Sequence, residues 1–117
     1  MTTTGKNLRE YDTGEEVFHQ GERSRYMCVL VSGAVSFSRK TDKGEKMQKI
    51  IDTPNEFFGE LSVTAGLPRD VTVVAIKPSK IIVIDESSFE RIILTNGKFA
   101  LRVIKSLARH LTQHRNY

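Results

Sequence analysis

The hydrophobic period of this chain changes once, near Ser87, and that change limits what it can fold into. From Glu15 to Asp85 the apolar runs are short and broken by turn residues. Val17-Phe18 opens one run, and Gly21-Glu22-Arg23-Ser24 reads as a turn. Tyr26 to Val31 is strongly apolar, Ser32-Gly33 reads as a tight connection, and Ala34, Val35 and Phe37 carry a second strand. Thr41-Asp42-Lys43-Gly44-Glu45 has hairpin chemistry, with Met47 to Asp52 as the return strand. Asp70 to Ala75 and Lys80 to Ile84 read as two further strands, separated by Lys77-Pro78-Ser79. Many short strands at regular spacing predict a sandwich or barrel. The first ten or so residues are polar and are expected to be loose.

After Ser87 the period becomes helical. Ser87-Ser88-Phe89-Glu90 matches a capping box, and Phe89, Ile92 and Ile93 mark a short helix. Asn96-Gly97 is expected to end it in a left-handed conformation. A second helix is expected from about Lys98 to Gln113. Ala100, Val103, Ile104, Leu107, Ala108 and Leu111 give it one apolar face. Arg102, Lys105, Arg109 and Gln113 lie opposite, as a solvated face or a contact for an acidic partner.

A chain of 117 residues suits one domain, here taken as 1–117. The net charge of +4 is spread among acidic residues, so it serves solubility and would draw an anionic small ligand. Nucleic acid is not the expected partner of this chain alone. The single cysteine, Cys28, allows no internal disulfide and fits a reducing compartment. It reads as a core residue. No apolar run approaches the ~20 residues of a membrane span, and Met1 to Lys6 lacks a signal-peptide core. A cytoplasmic protein is expected.

His110 and His114 stand four apart, a spacing that can hold zinc, but Leu111 stands where the zincin motif needs glutamate. They are expected to sit on a solvated helix end. A metal-dependent barrel enzyme needs a close histidine pair on the strands, which supply only His19. No nucleophile motif occurs. The expectation is no catalysis and no metal.

One segment carries chemistry: Phe57-Phe58-Gly59-Glu60-Leu61-Ser62-Val63-Thr64-Ala65-Gly66-Leu67-Pro68-Arg69. Its glycines permit tight turns, and a short helix start can aim backbone N–H groups at an anion. Arg69 can fork onto two phosphate oxygens, and Glu60 can accept from a sugar hydroxyl. A plain Glu60–Arg69 salt bridge is the alternative reading of the same pair.

The segment resembles the phosphate-binding cassette of the cyclic nucleotide-binding domain family: F-G-E-L, a short helix, then P-R. Phe18-His19-Gln20-Gly21-Glu22 and Met27 to Val35, with Ser32-Gly33-Ala34-Val35, resemble the family's early strand pair. The resemblance runs from about residue 14 to 113. It implies a mainly β fold: a double-stranded β-helix, or jelly-roll-like β-roll, over about 14–85, with a short cassette helix inserted. Two C-terminal helices over about 86–113 complete it.

The resemblance also implies roles. Gly59 would let the backbone approach the ligand, Glu60 would accept the ribose 2′-hydroxyl, and Leu61 would offer its N–H to the cyclic phosphate. Arg69 would neutralise that phosphate, and the N–H of Asp70 would complete the cradle. Phe58, Ser62 and Val71 are further ligand-binding positions, with Thr72 beside ribose or base, and Val63 and Leu67 as walls. The ligand implied is a cyclic nucleotide, cAMP before cGMP. Its signal would pass through repositioned C-terminal helices to a second copy or a regulated protein partner. A domain of this fold that has lost its ligand, and the sensor part of a larger transcription regulator, are the alternatives.

Three departures from the family pattern bear on this. Asp70 stands where alanine, serine or threonine is usual, and can repel the phosphate, hold Arg69, point outward or accept from a guanine. Asn55 replaces a glycine, and asparagine tolerates left-handed backbone. Arg25 and Cys28 replace an acidic and an aromatic scaffold residue.

Overall fold

The structure, a computed structural model, describes residues 1–5 and 7–115, with side chains as far as Leu111. Among the described residues are seven strands and three helices. They are β1 (Thr2–Thr3), β2 (Leu8–Tyr11), β3 (Glu16–Phe18), β4 (Tyr26–Thr41), β5 (Gly44–Ile51), β6 (Phe57–Phe58), α1 (Glu60–Ala65), β7 (Thr72–Asp85), α2 (Glu86–Thr95) and α3 (Gly97–Arg115). Pairing is antiparallel in the order β1-β2-β7-β4-β5, with β3 on β7 and β6 on β4. This is the mainly β roll with an inserted short helix and two closing helices that the sequence implies.

The period of two on β4 builds two cores at once. Cys28 and Leu30 face the interior of the roll with Phe18, Phe37, Phe58, Val73 and Ile81. Met27 and Val29 face the other way, onto Val63, Phe89 and Val103 beneath the helices. β7 divides similarly, with Val83 inside the roll and Ile84 under the helices. The sheet thus carries the helices on its back.

Six local expectations are corrected. The first residues are not loose: Leu8 to Tyr11 pair with Ile82 to Ser79, and the Tyr11 side chain is in the core. Ser32-Gly33 is no turn between two strands but a bulge inside one strand of 16 residues. Lys77-Pro78-Ser79 likewise bends β7 without ending it. Gly33, at φ 99°, lies so close that a Cβ would stand 2.2 Å from Ser79 Oγ and 2.6 Å from the Pro78 carbonyl. Pro78 has no N–H for the ladder. The buried Ser79 hydroxyl satisfies the bulge, accepting from the Ala34 N–H at 3.1 Å and standing as donor to the carbonyls of Lys77 at 2.7 Å and Ala34 at 3.2 Å.

The other three corrections concern the helices. Asp85, not Ser87, caps α2, accepting the Ser88 N–H at 2.8 Å. These bonds from Ser88, and one from the Ser87 hydroxyl, hold the Asp85 carboxyl below its ordinary range. Asn96 is extended rather than left-handed and caps α3 instead, accepting the Phe99 N–H at 3.1 Å. α3 also presents its residues differently from the expected face. Val103 is buried, Ala100 and Leu107 half-buried, and Ile104, Ala108 and Leu111 exposed.

Candidate functional site

The turn at Gly21 to Ser24 and the loop after α1 hold Arg69 from both sides. Its N–H bonds the Glu22 carbonyl at 2.9 Å, and its carbonyl accepts the Gly21 N–H at 2.8 Å. The side chain is 4% exposed. Nε donates to Ser24 Oγ at 2.9 Å, Nη1 to the Gly59 carbonyl at 3.1 Å and Nη2 to the Tyr26 carbonyl at 2.7 Å. The guanidinium lies 4.0 Å from the Phe18 ring centroid and 4.6 Å from that of Tyr26, close enough for cation–π attraction. Burial pulls its pKa below the ordinary value, opposed by the nearby Cys28 thiol and Tyr26 hydroxyl. A guanidinium has five N–H groups, so these three acceptors leave one on each terminal nitrogen among the described residues.

Gly59 is left-handed at φ 82° and precedes the first turn of α1. A Cβ there would stand 2.8 Å from Arg69 Nη1, so glycine is needed at this position for the arginine to close on the backbone. Asn55 is also left-handed, at φ 74°, which its residue type tolerates. Its carbonyl accepts from Arg102 Nη2 at 2.8 Å, and that guanidinium lies 4.9 Å from the Phe57 ring centroid. Arg25 pairs at 2.6 Å with Glu86 at the start of α2.

Glu60 begins α1 and is 6% exposed. It makes no ion pair with Arg69 among the described residues, so the plain salt-bridge reading fails. Its Oε1 accepts the Ser106 hydroxyl of α3 at 3.0 Å, while Oε2 is buried with no hydrogen-bond partner among the described residues. Asp70 does not hold Arg69 either. Its Oδ2 lies 3.5 Å from His110 Nε2 on α3. His110 is therefore turned inward rather than solvated, and the side chain of His114 lies outside the described residues. Among the described residues no group of three histidine, cysteine or acidic side chains is placed to hold a metal.

These groups open on one cavity of about 500 Å³. Phe58, Gly59, Glu60, Leu61, Ser62, Arg69, Asp70 and Val71 all line it. Val63 does not, because it points into the core under the helices, nor does Leu67, which is exposed. Thr72 is turned away to accept the Gln20 N–H at 3.0 Å. The Ser62 hydroxyl is spent on the Leu67 carbonyl at 3.0 Å, shaping the loop.

The other walls come from residues that sequence reasoning missed: Phe18, Phe37, Arg39, Gln48 and Lys49 of the roll and Ser106, Arg109 and His110 of α3. Phe37 and Arg39 share one face of β4 by the period of two. The β4–β5 register slips after Phe37, from Lys49 to Met47, and Gln48 is the residue left over. Gln48 and Lys49 thus both reach the cavity. Ser106 carried a signal that could have been read: it is a polar residue on the helix face that Val103 and Leu107 bury. The lining has four cationic side chains, Arg39, Lys49, Arg69 and Arg109, against the carboxylates of Glu56, Glu60 and Asp70.

Comparison with known proteins identifies a family and a fold. The family model for the cyclic nucleotide-binding domain matches residues 8–96. A cAMP-dependent protein kinase regulatory subunit of Yarrowia lipolytica is 34% identical over 86 residues, covering 74% of this chain and 22% of that protein. A CRP-like cAMP-activated global transcriptional regulator of Mycobacterium tuberculosis is 25% identical, covering 92% of this chain and 48% of the relative. The chain therefore spans less than half the length of either. Among solved structures, the Thermus thermophilus catabolite activator protein superposes with a TM-score of 0.85 at 25% identity, over 92% of this chain and 51% of that one. The sensor domain of the Pseudomonas aeruginosa regulator DNR gives 0.74 at 28% identity, over 94% of this chain and 74% of that one. With the family model matched over residues 8–96, well over half of the chain, the chain belongs to the cyclic nucleotide-binding domain family.

Proposed function

We propose that this domain senses a cyclic purine nucleotide, cAMP in preference to cGMP, and performs no catalysis of its own. The observation that carries this is the Glu60 carboxylate. Glu60 and Arg69 both line the cavity, and the Glu60 Oε2 atom is buried with no hydrogen-bond partner among the described residues. A buried carboxylate oxygen is costly unless it accepts a hydrogen bond. A ribose 2′-hydroxyl supplies that bond, while the cyclic phosphate meets Arg69 and the N–H groups of Leu61 and Asp70.

Two features favour adenine. Gln48 can pair with the N6/N7 edge of adenine, and Asp70 faces His110, which draws it from the guanine contact it could otherwise make. The two relatives described as responding to cAMP point the same way. cGMP is the second reading, favoured by Arg39 and Lys49, since such side chains donate to guanine O6/N7. The reading as a domain that has lost its ligand rests on Asp70 either repelling the phosphate or holding Arg69, and among the described residues Asp70 is not paired with Arg69, which counts against the second route.

The signal would pass through α3, which walls the pocket with Ser106, Arg109 and His110. Ligand binding shifts the helix between positions by its differential affinity for them. The outward residues Leu101, Ile104 and Leu111 follow a coiled-coil spacing and suit a second copy of the chain. Among the described residues no helix is long and apolar enough to cross a membrane. Isothermal titration with cAMP, cGMP and ring-opened AMP tests the ligand. The expected order is cAMP, then cGMP, then AMP. Absence of binding by either cyclic nucleotide at millimolar concentration contradicts the proposal.

A further inference from the structure

The Glu60 carboxylate has two oxygens in different situations, and α3 creates the difference. Ser106 donates to Oε1 across 46 positions of sequence, while Oε2 remains buried and without a partner among the described residues. The terminal torsion of a glutamate is broad, so an untethered carboxylate at the cavity wall would not keep its two oxygens in fixed places. α1 does not supply this restraint. Gly59 has no side chain with which to cap it, and the Thr64 hydroxyl is bonded to the Glu60 carbonyl at 2.6 Å.

Ser106 is itself out of place by packing criteria. Val103 and Leu107 on either side of it join the apolar cluster under α3. A mid-helix serine hydroxyl ordinarily returns to its own backbone. Here it reaches another element.

We propose that Ser106 is a positioning residue for the sugar site: by holding Oε1 it presents Oε2 to the ligand's 2′-hydroxyl. This rests on the reading of the cavity as a cyclic nucleotide site. The sugar hydroxyl and α3 are then joined through one carboxylate, each bonded to a different oxygen. The coupling is reciprocal: a ligand bearing the hydroxyl tightens α3, and α3 in place improves recognition of the hydroxyl. A cyclic nucleotide lacking that hydroxyl would fill the cavity with less hold on the helix.

The test compares cAMP with 2′-deoxy-cAMP on the wild-type chain, Ser106→Ala and Ser106→Thr by isothermal titration. The wild type is expected to prefer cAMP roughly tenfold or more, the scale of a hydrogen bond to a charged group. Ser106→Ala is expected to reduce that preference at least threefold, mainly by weakening cAMP, and Ser106→Thr to restore it. Loss of packing alone would weaken both ligands equally. Amide exchange along α3 gives a second readout without mutation, with cAMP slowing exchange more than 2′-deoxy-cAMP. If the wild type binds neither ligand, or both equally, the reading of the Glu60 site fails and this inference with it. If the wild type discriminates and Ser106→Ala discriminates just as well, the inference alone is overturned.

Discussion

Arg69 has both a structural and a proposed ligand-binding role. Three of its N–H groups bind the Ser24 hydroxyl and the carbonyls of Gly59 and Tyr26, stitching the early turn to the cassette. Its remaining N–H groups are those that would meet a phosphate. Arg69→Ala is therefore expected to weaken cAMP binding roughly 100-fold, about 3 kcal/mol, as charge-assisted bonds to an anion are lost. It should also lower stability by about 1–3 kcal/mol, because buried acceptors lose their donor. Titration and urea unfolding separate the two, and unchanged affinity in a folded variant would remove Arg69 from the site. Much of this was legible: the cassette residues are local in sequence, and one pattern names them. What Arg69 touches was not, because Ser24 and Tyr26 lie more than 40 positions away. Cys28 reads correctly at this scale as a core residue. It is fully buried, and burial pushes its thiol up to about 12, so it stays protonated and inert.

At the scale of elements, the sequence showed where strands and helices lie better than how they end. Turn residues at Gly33 and Pro78 suggested breaks, but each sits inside a long strand, opposite the other, where two irregularities fit together. Such a match is a tertiary fact that no local window contains. Asp85 was overlooked as a cap because it also ends a strand. α3 shows a further limit. Its apolar positions looked like one face, yet they divide between a seam on the roll and an outward stripe. Leu101, Ile104 and Leu111 in that stripe are 51%, 60% and 59% exposed. Ile104→Glu is expected to weaken self-association without unfolding the chain, since it opposes two charges in the stripe while leaving Val103 and Leu107 packed. Sedimentation or light scattering over a concentration series checks this. An assembly state equal to that of the wild type would assign the stripe to another partner.

At the scale of the molecule, the roll and helices form one wall each of a shared cavity. The cassette forms one end, β4 and the slipped register of β5 supply the far wall, and α3 closes over both. The eight positions read as ligand-binding line that cavity, while the expected walls Val63 and Leu67 and their neighbour Thr72 do not, and the far wall went unread because a register slip leaves no trace in the sequence. The whole account depends on one claim, that a cyclic nucleotide occupies this cavity. Nuclear magnetic resonance of the isotope-labelled chain titrated with cAMP tests it most directly. The account expects the amide signals of Gly59 to Ser62, Arg69 to Val71 and Ser106 to His110 to shift together, saturating at one nucleotide per chain. Signals that do not move at millimolar cAMP, or that move only away from these three segments, would contradict it.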